Sequence, residues 1–436
     1  MISFKWRSLL SLCVVSGSVI LFVGVGLTKE DDVASLKKQL KEMQQQMQRL
    51  LQRIEQIEKQ SEGSSLEGSG EKPAQQQAKQ KGVSNPGRTQ SNPSTFDRVS
   101  AISRAFNPAI SVNGLFLGGW ASSVDASNEL TGLNFENGFN FQEAEFRFTS
   151  DVDPYFKADL ILAIDREGEV ELEEGFVTSN QLPGDIMPRG LSLKMGKFFT
   201  EFGKHNLLHS HQFPFVDRPL VSVAVFGDEG LNEPGAGVNY LLPIPWFSEL
   251  TFQGMQGDNS KLFVRSDGAS PEGAYLGHWK NFFDLSDETT LEFGNSYVGG
   301  RNSGSDYSQA IGTDLTVKWI PLARAQDRTL IWQNEYIYSS IVEDNKSREE
   351  TGGLYSSLQY RLSRLWWLQG RYGVSGIPNS GQGVDHKWTI MAALVPSEFS
   401  ALRLQYSHTQ QEFGKDIDQI LLQLNYTIGS HPAHKY

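Results

Sequence analysis

The sequence predicts an all-β transmembrane chain: an antiparallel barrel of about sixteen strands, preceded by an N-terminal coiled-coil helix. Three observations carry this reading. From about Ile110 to Ile428 the chain runs as short segments of alternating polarity, each closed by a turn signal. The connections between segments alternate long and short. No helical pattern interrupts them. In Glu143-Ala144-Glu145-Phe146-Arg147-Phe148-Thr149 the side chains alternate across a strand. Ala144, Phe146 and Phe148 share one side, and Glu143, Glu145 and Arg147 the other. A soluble sandwich would set its apolar side against a core. A sheet apolar on one face and charged on the other, repeated along the whole region, suits a closed barrel in lipid with water inside.

Composition agrees. A soluble all-β chain of 436 residues would also bury a large core, so length decides little. A mean hydropathy of -0.37 excludes a bundle of membrane helices but not a barrel, half of whose strand residues are polar. Aromatic residues make up 11% of the chain and supply the belts a barrel needs at both membrane surfaces. The single cysteine, Cys13, lies in the leader, which leaves no disulfide framework and no thiol chemistry.

The elements follow in order. Residues 1–27 read as an export signal, with Lys5 and Arg7 ahead of an apolar run from Leu9 to Val25; an uncleaved inner-membrane anchor is the other reading. Within residues 30–60, Val33, Leu36, Leu40, Met43, Met47, Leu50, Ile54 and Ile57 are spaced 3-4-3-4-3-4-3, an a/d heptad seam. Residues 61–106 are rich in Gly, Ser, Gln, Pro and Lys and read as a flexible linker. Residues 107–436 carry the barrel, with segments beginning near Val112, Phe139, Phe156, Val170, Leu191, Gly237, Leu250, Tyr275, Leu291, Ile311, Leu330, Leu354, Leu365, Trp388, Leu402 and Ile420. Short connections include Ser150–Tyr155, Pro243–Trp246 and Val395–Phe399. Long ones include Ser122–Glu136, Lys204–Glu233 and Gly257–Gly273. Barrels of this kind have short periplasmic turns and longer outer loops, so the parity places both barrel ends in the periplasm. The strand Gln419–Tyr426 closes the barrel. Either it extends to Tyr436 despite Pro432, or Tyr426 is the terminal aromatic.

The longest connection, Lys204–Glu233, is the third outer loop by this count. Here the chain resembles the general porin family, trimers of sixteen-stranded barrels whose third loop folds inward and narrows the pore. Stalk, linker and barrel together resemble the branch with an N-terminal periplasmic coiled coil. The resemblance implies a homotrimer in the bacterial outer membrane, the stalk in the periplasm. Its partners would be membrane lipid, lipopolysaccharide, the barrel assembly machinery and small hydrophilic solutes, with no nucleic acid.

Charge divides unevenly. The first 106 residues hold 15 basic and 10 acidic residues, leaving 24 basic and 41 acidic in the remainder. An acidic lumen concentrates cations. Alternation points Glu143, Glu145, Asp159, Asp165, Glu171, Glu173, Glu292, Asp314 and Glu335 inward, with Arg147, Lys157, Lys318, Arg361, Arg371 and Arg403. Bases and acids from different parts of the wall would set a transverse field across the water. Alternatively they pair and solvate the lumen.

The long loop holds the sharpest cluster. His205, His209 and His211, three of the chain's eight histidines, lie within seven residues, followed by Asp217 and Arg218. Together they are the candidate pore constriction. The imidazoles suit Zn²⁺ or Cu²⁺, with Asp217 as an oxygen ligand. The other reading is that they bond to wall carboxylates. No G-x-S-x-G elbow, P-loop or H-E-x-x-H occurs, so neither an enzyme nor a cofactor is expected. The leading expectation is passive diffusion of small hydrophilic solutes or ions. The alternatives are a specific channel for metal ions or anions such as phosphate, and a structural tether.

Overall fold

The computed structural model describes residues 108–429, apart from 183–186, 264–271, 302–305, 343–347 and 379–382. The export signal, coiled coil, linker and C-terminal tail expected from the sequence lie outside the described residues.

The described chain is a closed antiparallel barrel of sixteen strands. They run as β1 (Ala109–Ala121), β2 (Gly138–Asp151), β3 (Lys157–Ile164), β4 (Val170–Ser179), β5 (Leu191–Phe199) and β6 (Asn232–Leu241). Next come β7 (Phe247–Met255), β8 (Ala274–Ser286), β9 (Thr289–Arg301), β10 (Tyr307–Trp319) and β11 (Thr329–Val342). The circuit ends with β12 (Arg348–Arg361), β13 (Trp366–Ser375), β14 (Asp385–Ser397), β15 (Ser400–Gln410) and β16 (Ile417–Gly429). Each strand pairs with its sequence neighbours. β1 closes onto β16 in a register from Ser111↔Gly429 to Ala121↔Gln419. Closure leaves no unpaired edge, which a barrel in lipid requires because no water there can satisfy a free backbone N–H.

Alternation explains which side faces lipid. Along β1, Ile110, Phe116 and Trp120 are exposed on the outer surface, while Ser111, Asn113, Leu115 and Leu117 are buried inside. On β16, Ile420, Leu422 and Leu424 face out, and Gln419, Leu421 and Gln423 face in. Aromatic residues gather at both rims: Trp246, Trp366 and Phe399 by the short turns, Trp120, Tyr275 and Tyr406 towards the long loops. The outer face is thus a membrane-facing apolar band.

Two short helices depart from the sequence expectation that nothing helical interrupts the strands. α1 (Val124–Thr131) lies in the first long connection and α2 (Leu220–Phe226) in the third. Neither is long enough to show a 3.6-residue period. α2 is rich in β-branched residues, which are poor helix formers. It is held by burial: backbone in a dry setting must pair its own polar groups. β6 begins at Asn232, earlier than the expected Gly237, so the third loop spans residues 200–231.

The packed core lies inside the barrel, between this loop and the wall. Phe202, Val221, Val225, Phe226 and Leu231 join inward-facing Leu276, Val298, Ile337 and Tyr355 in one buried cluster. Across the lumen, Phe215 and Val216 pack with Leu117, Ala121, Met391 and Leu421.

Candidate functional site

The third loop enters the barrel through a stapled neck. The Asn206 side-chain amide donates to the carbonyls of Thr200 and Leu231 at 2.9 and 3.0 Å, and its Oδ1 accepts from Leu231 N at 2.8 Å. Gly203, at φ +59°, runs so close to the wall that a Cβ there would lie 1.7 Å from Glu335 Oε1. Only glycine permits both the conformation and the approach. Gly203 N donates to Ser296 Oγ at 2.9 Å.

From the neck, the loop touches nearly every part of the wall, and its charges complement those it meets. Lys204 pairs with Glu292 of β9 at 3.2 Å. Asp217 is fully buried opposite the basic strands. Its Oδ1 lies 2.5 Å from Arg371 Nη2 on β13, its Oδ2 pairs with Lys387 of β14, and Gln405 of β15 donates to Oδ1 at 3.0 Å. Burial alone would raise the Asp217 pKa, but Lys387 and Arg371 outweigh it and hold the carboxyl well below its usual range. Arg403 of β15 donates to the carbonyls of Phe213 and His211, and Asn425 of β16 donates to His211 O at 2.8 Å.

The acidic side of the lumen receives the histidines. His209 Nε2 lies 2.9 Å from Glu174 Oε2. His209 Nδ1 lies 3.1 Å from Glu173 Oε2 and 3.3 Å from Glu145 Oε2. His211 Nδ1 bonds the same Glu145 oxygen at 3.1 Å. Burial depresses the His209 pKa, yet the charges of Glu145 and Glu173 outweigh it and hold the group well above its ordinary value. His205 goes the other way. Burial, reinforced by Arg218 and Arg371, holds it well below the ordinary value, and it packs against Phe213 and Tyr355. Two histidines four residues apart are thus held in opposite charge states. Arg218 lies over the Phe213 ring at 4.7 Å, and burial lowers its pKa to about 10.

The three imidazoles do not form one ligand group. Among the described residues, the set with ligating atoms close enough for a metal is Glu145, Glu173 and His209. Asp217, the expected oxygen ligand, is taken up by Arg371 and Lys387.

The remaining candidate residues lie as follows. Arg147 and Asp159 pair at 2.7 Å on β2 and β3, with Lys157 nearby at the start of β3. Asp165 sits beyond the end of β3, in the tight outer turn, where it accepts from Glu169 N at 2.8 Å. Glu143 and Asp165 line a cavity of about 250 Å³ with Arg166, Ser210, Asp217 and Arg218. Glu171 pairs with Lys197 at 3.1 Å. Asp314 and Glu335 are buried on β10 and β11, and Tyr355 donates to Glu335 at 3.0 Å. Lys318 lies near the short-turn end of β10, and Arg361 at that end of β12 donates to the Arg364 carbonyl at 2.9 Å.

Sequence reasoning missed Glu174 and Lys387. Strict alternation with Glu171 and Glu173 inward sends Glu174 out. A β-bulge at Glu173 of β4 shifts the register, so that Ile161 of β3 pairs with Glu174 and the next residue, Leu162, with Leu172. Both consecutive carboxylates then turn inward. No local signal marks that bulge. Lys387 was legible, since it precedes inward Thr389 by two residues, but the expected segment began at Trp388.

No family model matches the chain. An uncharacterised protein of Aquifex aeolicus (strain VF5) is 29% identical over 345 residues, covering 70% of this chain and 71% of that one. An anion-selective porin from Comamonas acidovorans superposes with a TM-score of 0.51 at 9% identity, over 74% of this chain and all of that one. Pseudomonas putida OprB superposes with a TM-score of 0.49 at 9% identity, over 76% of this chain and 96% of that one. The likeness to the Comamonas protein is one of fold: the closed antiparallel barrel of outer-membrane porins.

Proposed function

We propose that the protein is a bacterial outer-membrane porin, through which small hydrophilic solutes and ions diffuse passively. The observation that carries this reading is the inward third loop: residues 200–231 are anchored to β9, β13, β15 and the acidic strands β2 and β4 inside a polar-walled barrel. A segment so placed narrows the water column, and His205, His209, His211, Asp217 and Arg218 belong to that constriction. The charged wall residues act as the filter. The loop's Asp217 offsets one of the two basic wall charges of Arg371 and Lys387, while on the acidic wall Glu145, Glu173 and Glu174 outnumber His209 and His211. That imbalance favours cations.

Export by residues 1–27, a trimeric periplasmic stalk from residues 30–60 and a linker over 61–106 complete the proposal. The barrel over 107–436 would be inserted by the assembly machinery among lipid and lipopolysaccharide. The test is the purified full chain in a planar lipid bilayer. Discrete conductance steps support the porin, and insertion with no conductance would overturn it in favour of a structural tether.

A further inference from the structure

The acidic strands and the inward loop build a cluster that the diffusion reading does not require. Glu145 of β2, Glu173 and Glu174 of β4 and His209 of the loop meet inside the barrel, with His209 and Glu145 almost wholly enclosed. Three carboxylates meet one imidazole away from bulk water; Glu174 also has Lys194 Nζ at 4.0 Å, and a cation between Glu145 and Glu173 would be favourably placed.

The hydrogen bonding fixes what each atom offers. A carboxylate only accepts, so the 2.9 Å contact with Glu174 Oε2 keeps a proton on His209 Nε2 and leaves Nδ1 as the ring's ligand atom. When a cation displaces the proton from Nδ1, that nitrogen's lone pair is directed at an ion lying between Glu145 and Glu173. Among the described residues, neither His209 Nδ1 nor Glu173 Oε2 makes a hydrogen bond, although both are buried. A carboxylate holding the far nitrogen of an imidazole is the arrangement that orients metal-binding histidines. His211 Nδ1, 3.1 Å from Glu145 Oε2, steadies that carboxylate in the same way.

The spacing is that of a ligand set. Tetrahedral bonds of about 2.0–2.2 Å put neighbouring ligand atoms roughly 3.3–3.5 Å apart. Here Nδ1 lies 3.1 Å from Glu173 Oε2 and 3.3 Å from Glu145 Oε2. We propose that His209 Nδ1, Glu145 and Glu173 bind a divalent transition-metal ion of the zinc type, with Glu174 positioning the histidine, and that the ion clamps the third loop to β2 and β4. One imidazole and two carboxylates suit zinc better than calcium, which takes six or more oxygens. Neither His205 nor Asp217 takes part.

The test uses the full-length protein in detergent, stripped with a chelator and titrated with Zn²⁺ by calorimetry, with Co²⁺ reporting coordination through its visible spectrum. About one ion per chain is expected, with Ca²⁺ unable to compete at equal concentration. Glu173→Gln and His209→Gln should weaken zinc roughly 100-fold or more, and Glu174→Gln by about 10–100-fold. Heat-modifiable migration on gels confirms that each variant remains a folded barrel. Glu173, the least enclosed of the three ligands, supplies the variant least exposed to misfolding. Absence of saturable binding by the wild type, or wild-type affinity in all three variants, would overturn the site. Binding is read without current, so its failure and that of the channel are distinguished.

Discussion

Arg371 Nη2 on β13 lies 2.5 Å from Asp217 Oδ1 in the third loop, joining residues 154 positions apart in the sequence. Arg371 also donates to the Asp217 carbonyl at 2.9 Å, so one guanidinium grips both side chain and backbone. Asp217→Asn leaves Arg371 and Lys387 buried without their counter-charge. Breaking such a pair from one side costs about 3–5 kcal/mol. The expected result is a lower thermal midpoint and faster proteolysis within residues 200–231, both measured in detergent.

The same carboxylate sets a pH dependence. Its folded pKa is depressed below the usual range by Lys387 and Arg371 after burial. Its contribution is therefore fully present above the unfolded value of about 4 and is lost as pH falls further towards the folded value. The difference in thermal midpoint between wild type and Asp217→Asn should stay constant from pH 8 to 5 and shrink below about pH 4. A difference that already declines near neutrality would assign the effect to another group.

Deleting residues 206–216 removes His209, His211 and the contacts of Phe213 and Phe215 from the lumen while leaving all sixteen strands. Single-channel conductance should rise several-fold. Unchanged conductance would place the loop outside the current path.

Selectivity follows from the surplus of carboxylates in the lumen-facing charge. Reversal potentials in a KCl gradient should show cation preference, weakening as salt rises because the Debye length falls from about 30 Å at 0.01 M to about 3 Å at 1 M. Anion preference would refute the charge argument.

Because β1 closes onto β16 within the described residues, the barrel should form without residues 1–106. Expressed behind a foreign export signal, residues 107–436 should give the heat-modifiable band of a folded barrel.

The barrel itself was legible in the sequence. A strand's period of two is a local property, so polarity alternation in segments such as Glu143–Thr149 and Gln419–Tyr426 revealed an antiparallel barrel of about sixteen strands. The thirty-residue connection near Lys204 was legible as the longest loop, and its three histidines as a cluster. Their partners were not legible. His205 and His209 look alike in sequence, yet one is buried beside Arg218 and Arg371 and the other among carboxylates. Glu174 reaches His209 only because a bulge reverses its face. Helix α2 exists because the lumen wall covers it. Alternation depends on neighbours in the chain; charge state, ligand spacing and a bulge's register depend on neighbours across the barrel, and only closure brings those together.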